Sequence, residues 1–230
     1  MIISIPKGYQ KLYYNLSEQK MISIFVKLYV YNEARKKKIR ISNIELQLIK
    51  ELEQFASWSG KIWYAWFWSA GVHIPNASAT IPGLILINAE WAARIVLYQK
   101  NQNMHDAFKL TVCHEMTHQE NDFSFFDFFT KDGIFVNWIN EVHADFGGTE
   151  KAFNGERKKA IYGMKYKLSC KHKKDRDTRS HPSWSKRIEY ISNYNFDNIL
   201  IDKIAFDIGC KNPKLILAVK NHFDEIKLRK

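Results

Sequence analysis

The chain has 230 residues, 46% hydrophobic and 26% charged, which excludes wholesale disorder and provides for a core without disulfide or metal staples. Ten glycines and five prolines are too few for a fibrous or linker-rich chain and favour helix. Lys and Arg number 35 against 24 Asp and Glu, and of the net +11 the segment 151–187 alone carries +10, with 13 basic and 3 acidic residues.

In chain order, residues 18–38 have helical periodicity, with Ile22, Phe25, Val26, Tyr29 and Val30 on one side. The apolar run 21–31 is broken by Lys27 and is too short to cross a bilayer, which takes about 18 uncharged residues, so it reads as core or as an interfacial helix. Ser42 and Glu45 resemble a capping box opening a second helix to about Ser57. Lys61–Ser69 is aromatic and Gly83–Ala89 β-branched, and both predict strands with a Gly/Pro/Asn-containing connection between them. Helical patterns follow at 90–99, 104–120, 134–153, 156–168, 184–194, 198–209 and 213–228, with starts marked by Asn103 and Asp106, by Asp132–Gly133 and by Pro213. The polar, basic stretch 170–180 predicts a mobile loop. Together these predict a mainly helical α+β fold with a small sheet beside the helix at 104–120. An N-terminal helical segment (1–60) packs on a domain over 61–230, the whole being one continuous unit. Cys113, Cys170 and Cys210 are scattered and form no CxxC, and MIISIPKGYQ lacks the pattern of a secretory signal, so reduced thiols and a cytoplasmic location are expected.

The chemistry centres on His114-Glu115-Met116-Thr117-His118. Positions four apart share a helix face, so both imidazoles can address one ion, and zinc takes neutral imidazole nitrogen. Glu115 stands beside the first ligand, where it can act on a zinc-bound water as general base. A catalytic zinc needs a third protein ligand and an open position. Downstream, Glu141 and Asp145 lie four apart with Trp138 on the same face, so Glu141 can complete the ligand set. Asp145 can then accept the free ring N–H of a ligand histidine. Asp122, four past His118, is the rival third ligand, and His143 reads as surface.

HEMTH followed by NEVHAD resembles the arrangement of the gluzincin zinc peptidases. Ser180-His181-Pro182 through Arg187-Ile188, forty residues past Glu141, resembles a segment of the HtpX-like and CAAX-prenyl-protease-like family, with Ser where that family has Thr. Ile87-Asn88-Ala89 resembles the strand that precedes the zincin helix. The resemblance spans roughly 84–190, and the transmembrane helices of those enzymes have no counterpart here. It implies a zincin-like catalytic domain with one Zn2+ per chain, cleaving peptide or protein substrates. It also implies that His181 lies near the zinc, as oxyanion donor or as a latch on the metal, that Arg187 pairs with a site carboxylate, and that Asn88 and Ala89 meet extended substrate.

Zinc-dependent endopeptidase activity is the function these residues favour. The alternative is a non-catalytic or regulatory zincin-like module, or a protease recruited to DNA, that uses 151–187 to bind nucleic acid or an acidic partner; a solvated face is the other reading of that patch. The aromatic run 63–68 reads as core, or as the lining of an apolar subsite.

Overall fold

The structure, a computed structural model, describes residues 13–15, 64–68, 77–81, 84–88, 91, 101–125, 129–170 and 175–228; for the strands, side chains are described at Ala77 and Ser78 alone. The expected helices at 18–38, 42–57 and 90–99 lie outside these residues, Trp91 excepted, as do Ala89 and the Asn88 side chain. The described part is mainly helical.

Four short strands, β1 (Tyr13–Asn15), β2 (Tyr64–Trp68), β3 (Ala77–Ile81) and β4 (Leu84–Asn88), lie in the order β1-β2-β4-β3. β2 and β4 fall in the two runs read as strands and pair in parallel, Tyr64 opposite Leu84 through Trp68 opposite Asn88. β3 falls in the stretch expected to be a connection, because Ala-Ser-Ala carries no strand signal and Thr80-Ile81 alone is too short a β-branched run; its order comes from pairing antiparallel with β4. β4 is therefore paired on both sides over Leu84–Ile87, and Asn88 pairs with Trp68 on the β2 side. Among the described strands β1 and β3 hold the two edges, and β3 lies against the first described helix.

Six helices follow: α1 (Gln102–Asn121), α2 (Lys131–Phe153), α3 (Arg157–Ser169), α4 (Trp184–Asn193), α5 (Asn198–Ile208) and α6 (Pro213–Leu228). Two are capped two residues before their expected markers. Asn101 caps α1 by accepting from the Met104 amide, and Thr130 caps α2 by accepting from Gly133, which leaves Asp132 in the first turn, where the helix dipole favours it. Gly209, at φ 74, ends α5 in the left-handed conformation and turns the chain into α6.

α2 is the central element. Phe135, Val136, Trp138, Ile139 and Val142 are buried against Tyr190 of α4 and the apolar faces of α5 and α6. On the other flank, Leu110 of α1, Phe153, Met164 of α3 and Trp184 and Ile191 of α4 form a second cluster. Burying each such large side chain contributes roughly 1.5–3 kcal/mol. His143, read from sequence as surface, is buried between the rings of Phe196 (4.8 Å) and Phe223 (4.5 Å) and belongs to the core.

The approach of α2 to α1 sets the geometry of the site. A Cβ on Gly148 would stand 2.9 Å from the His114 amide nitrogen and 3.0 Å from its Cα, so only glycine lets the α2 backbone lie directly on the turn that bears His114.

Candidate metal centre

His114 and His118 stand one turn apart near the end of α1 with their Nε2 atoms 3.0 Å apart. The other nitrogen of each ring faces a carboxylate: His114 Nδ1 lies 3.0 Å from Asp145 Oδ1, and His118 Nδ1 lies 2.8 Å and 3.0 Å from the two oxygens of Asp122. A carboxylate accepts and does not donate, so Nδ1 carries a hydrogen in both rings, and in the neutral form of each ring Nε2 presents a lone pair. Two lone pairs thus converge, and a third donor joins them from α2: Glu141 Oε2 lies 3.5 Å from His114 Nε2 and Oε1 lies 3.4 Å from His118 Nε2. One ligand atom from each of the three residues falls within 4.8 Å of the others.

This arrangement fits a cation. Acceptors clustered in a buried site repel unless positive charge lies among them, and Glu141 Oε2 is buried beside the Arg187 guanidinium at 3.2 Å without a hydrogen bond of its own. Burial works to lower the pKa of His118, yet the hydrogen bonds from Asp122 and Glu141 hold it well above the ordinary value. His114 is raised in the same way, by Asp145 and Glu141 against its burial. Burial would raise Glu141, but contact with His114, His118 and His181 and the charge of Arg187 keep it well below the ordinary carboxylate range. His114, His118 and Glu141 can therefore hold a metal ion.

Asp122 sits at the C-cap of α1 on the Nδ1 side of His118, away from the converging nitrogens. It orients the His118 ring, which differs from its reading as a rival third ligand. Asp145 is clamped by Arg187, whose Nε donates to Oδ2 at 2.7 Å and whose Nη2 donates to Oδ1. The same guanidinium lies 3.2 Å from Glu141 Oε2 and 4.3 Å from the centroid of the Trp184 ring. Glu115 is partly buried and lies close enough to act electrostatically on both Arg187 and Lys167. His181, with its side chain 53% exposed, places Nε2 3.2 Å from Glu141 Oε1 and Nδ1 2.7 Å from the Ser180 hydroxyl. Of the stretch expected to be a mobile loop, 171–174 lie outside the described residues; in the part that presents His181, Thr178 closes a turn onto the His181 amide and carbonyl.

Two residues went unnoticed in the sequence. Asn140 accepts from the Phe123 amide (2.9 Å) and donates to its carbonyl (3.0 Å), tying the exit of α1 to α2 beside Glu141. Lys167, one of many cations in α3, points inward; its ammonium donates to Thr111 Oγ1 at 2.9 Å and lies 4.8 Å and 5.9 Å from the Trp184 and Trp91 ring centroids. Only tertiary structure reveals this, because nothing in the local pattern separates Lys167 from its neighbours. Of the basic segment, Lys167 and Arg187 are thus buried and Lys151 pairs with Glu120 at 3.0 Å, whereas Lys158, Lys165, Arg176 and Arg179 are exposed.

Lys167 also gives a pH dependence. Burial, helped by Arg187, pushes its pKa down from 10.5 to about 8. The unfolded chain then binds more protons between those two values, so this group's penalty is full below about pH 8 and disappears as pH rises through the window. With about 1.4 kcal/mol per pKa unit, Lys167→Met should gain up to about 3.5 kcal/mol in urea unfolding near neutral pH. It should also lose the wild type's alkaline rise in stability; a less stable variant near neutrality would mean that Thr111 and the two indoles outweigh the burial penalty.

Comparisons of the chain with protein-family models, with curated proteins and with solved structures found no match. Among the described residues, no helix is long and apolar enough to cross a membrane. Cys113, Cys170 and Cys210 are free thiols.

Proposed function

We propose that this chain is a zinc-dependent endopeptidase with a zincin-like core, in which His114, His118 and Glu141 hold one zinc ion. The observation that carries this reading is the convergence of two imidazole nitrogens and one carboxylate within 4.8 Å, each imidazole backed by an aspartate on its other nitrogen. Two nitrogens and one oxygen are the donor set of a catalytic zinc, which leaves a position for solvent. Zinc in such a site lowers the pKa of water toward about 7 and polarises a carbonyl.

The chain's own residues do the rest. Glu115 accepts a proton from the attacking water and delivers it to the leaving amine. Asp145 and Asp122 fix the tautomers of the two histidines, and Arg187 keeps Asp145 and Glu141 ionised. His181, on the exposed side of Glu141, supplies a hydrogen-bond donor for the oxygen of the reacting carbonyl. The edge of β3, beside α1, is where an extended peptide adds to the sheet.

The test is Glu115→Gln. The variant should retain about one zinc per chain by metal analysis and lose cleavage of a quenched-fluorescent peptide by about 10²–10⁴-fold. Turnover undiminished in the variant would remove Glu115 as the base, and a zinc-loaded wild-type chain that hydrolyses no peptide would sink the reading altogether.

A further inference from the structure

The loop that presents His181 is fixed at one end by two aspartates. Asp175 accepts from the Trp184 and Ser185 amides at 2.9 Å and 3.0 Å, and Asp177 accepts from the Ser183 amide and from Lys186 Nζ at 2.8 Å and 2.7 Å. Its middle is tied to the helix that carries Glu141: Trp138 Nε1 donates to the Thr178 carbonyl at 2.9 Å, and Asn137 Nδ2 donates to the Arg179 carbonyl at 3.3 Å. Asn137 precedes Glu141 by one turn of α2. From this anchored backbone the Arg179 side chain reaches toward the start of α2, where its guanidinium lies 5.8 Å from the centroid of the Phe129 ring. Phe129 is 80% exposed, Arg179 is exposed, and no carboxylate among the described residues pairs with that guanidinium. The nearest acids in sequence, Asp175 and Asp177, are engaged with α4 and Lys186.

We infer that Arg179 selects an acidic residue of the substrate, so that the substrate class is acidic peptides. An arginine held by its backbone, supported by an aromatic ring and lacking a counter-ion among the described residues is preorganised to take a carboxylate from another molecule. Exposed Arg176 adds to the field, and the excess of basic over acidic residues in 151–187 has the matching sign.

This inference rests on the peptidase reading, and the experiment separates the two. Fluorescein-labelled twelve-residue peptides rich in Glu, and counterparts with Gln at the same places, are titrated by fluorescence anisotropy into the full-length Glu115→Gln chain at low salt. The acidic peptide should bind at least about tenfold tighter than its counterpart, with the ratio shrinking as salt rises. Adding Arg179→Gln should bring the ratio near one. Lys158→Gln should leave it intact: the neighbouring Arg157 donates to the Tyr194 carbonyl at 2.8 Å at the far end of α4, about 15 Å from the end next to His181. Equal affinities in the Glu115→Gln chain, or a ratio that survives Arg179→Gln, overturn the inference even if the wild type cleaves both peptides. An Arg179-dependent preference in a protein whose wild type cleaves neither peptide upholds the recognition and overturns the peptidase reading.

Discussion

Replacing Arg187 with methionine is expected to destabilise the protein by about 3–5 kcal/mol, the largest loss from any single change at this site. The guanidinium is 5% exposed and holds two carboxylates at once, Asp145 through Nε and Nη2 and Glu141 through Nη1. Methionine restores much of the volume against Trp184 but leaves both acids buried without their cation. Burial already works to raise their pKa values, and Arg187 is among the causes that hold them low. Their depressed values contribute stability above the ordinary carboxylate range that is lost as pH falls; the variant should lose that contribution at neutral pH and unfold with a shallower acid dependence. Metal affinity should fall too, by about 10–100-fold, because an Asp145 that takes up a proton no longer fixes the His114 tautomer. Urea unfolding of the metal-free chain at several pH values, with zinc titration alongside, reads both effects. A stability loss below about 1 kcal/mol would mean that solvent or another cation compensates the carboxylates.

The second large effect is on metal retention. Glu141→Ala removes the carboxylate that α2 adds to the candidate ligand set, and the two remaining nitrogens lie on a single turn of α1. Zinc binding should weaken by more than about 100-fold, measured by competition with a chelator of known affinity. Asp122→Ala removes only the acceptor for His118 Nδ1, and its loss should stay within the 10–100-fold range of orienting partners. The reverse order would assign the third ligand to Asp122.

The parts of the site that were legible in the sequence are those set by one helical period. His114 and His118 face one way because four residues nearly close a turn, and Glu141 and Asp145 repeat that spacing on a helix whose buried side Trp138 marks. The same rule misleads at Asp122, since a carboxylate four residues past a histidine reaches Nδ1 as readily as a shared ion, and only the ring orientation decides. His143 looks polar and peripheral within Glu-Val-His-Ala-Asp, yet the rings that enclose it come from Phe196 and Phe223, which no local pattern links to it. Lys167 is hidden by its basic neighbours, and its indole partners lie 76 residues before it and 17 after. The mainly helical character and the order of helices from α1 to α6 follow from apolar periodicity, with ends displaced by three residues or fewer. β3 escapes because only Thr80 and Ile81 of its five residues favour a strand, and pairing with β4 supplies the rest.

Crystals of the full chain grown with one equivalent of zinc and measured at the zinc absorption edge test the central claim directly. The account predicts a single anomalous peak about 2.0–2.2 Å from His114 Nε2, His118 Nε2 and an oxygen of Glu141. A peak bound elsewhere, or one that leaves the Glu141 carboxylate outside its ligand shell, would contradict it.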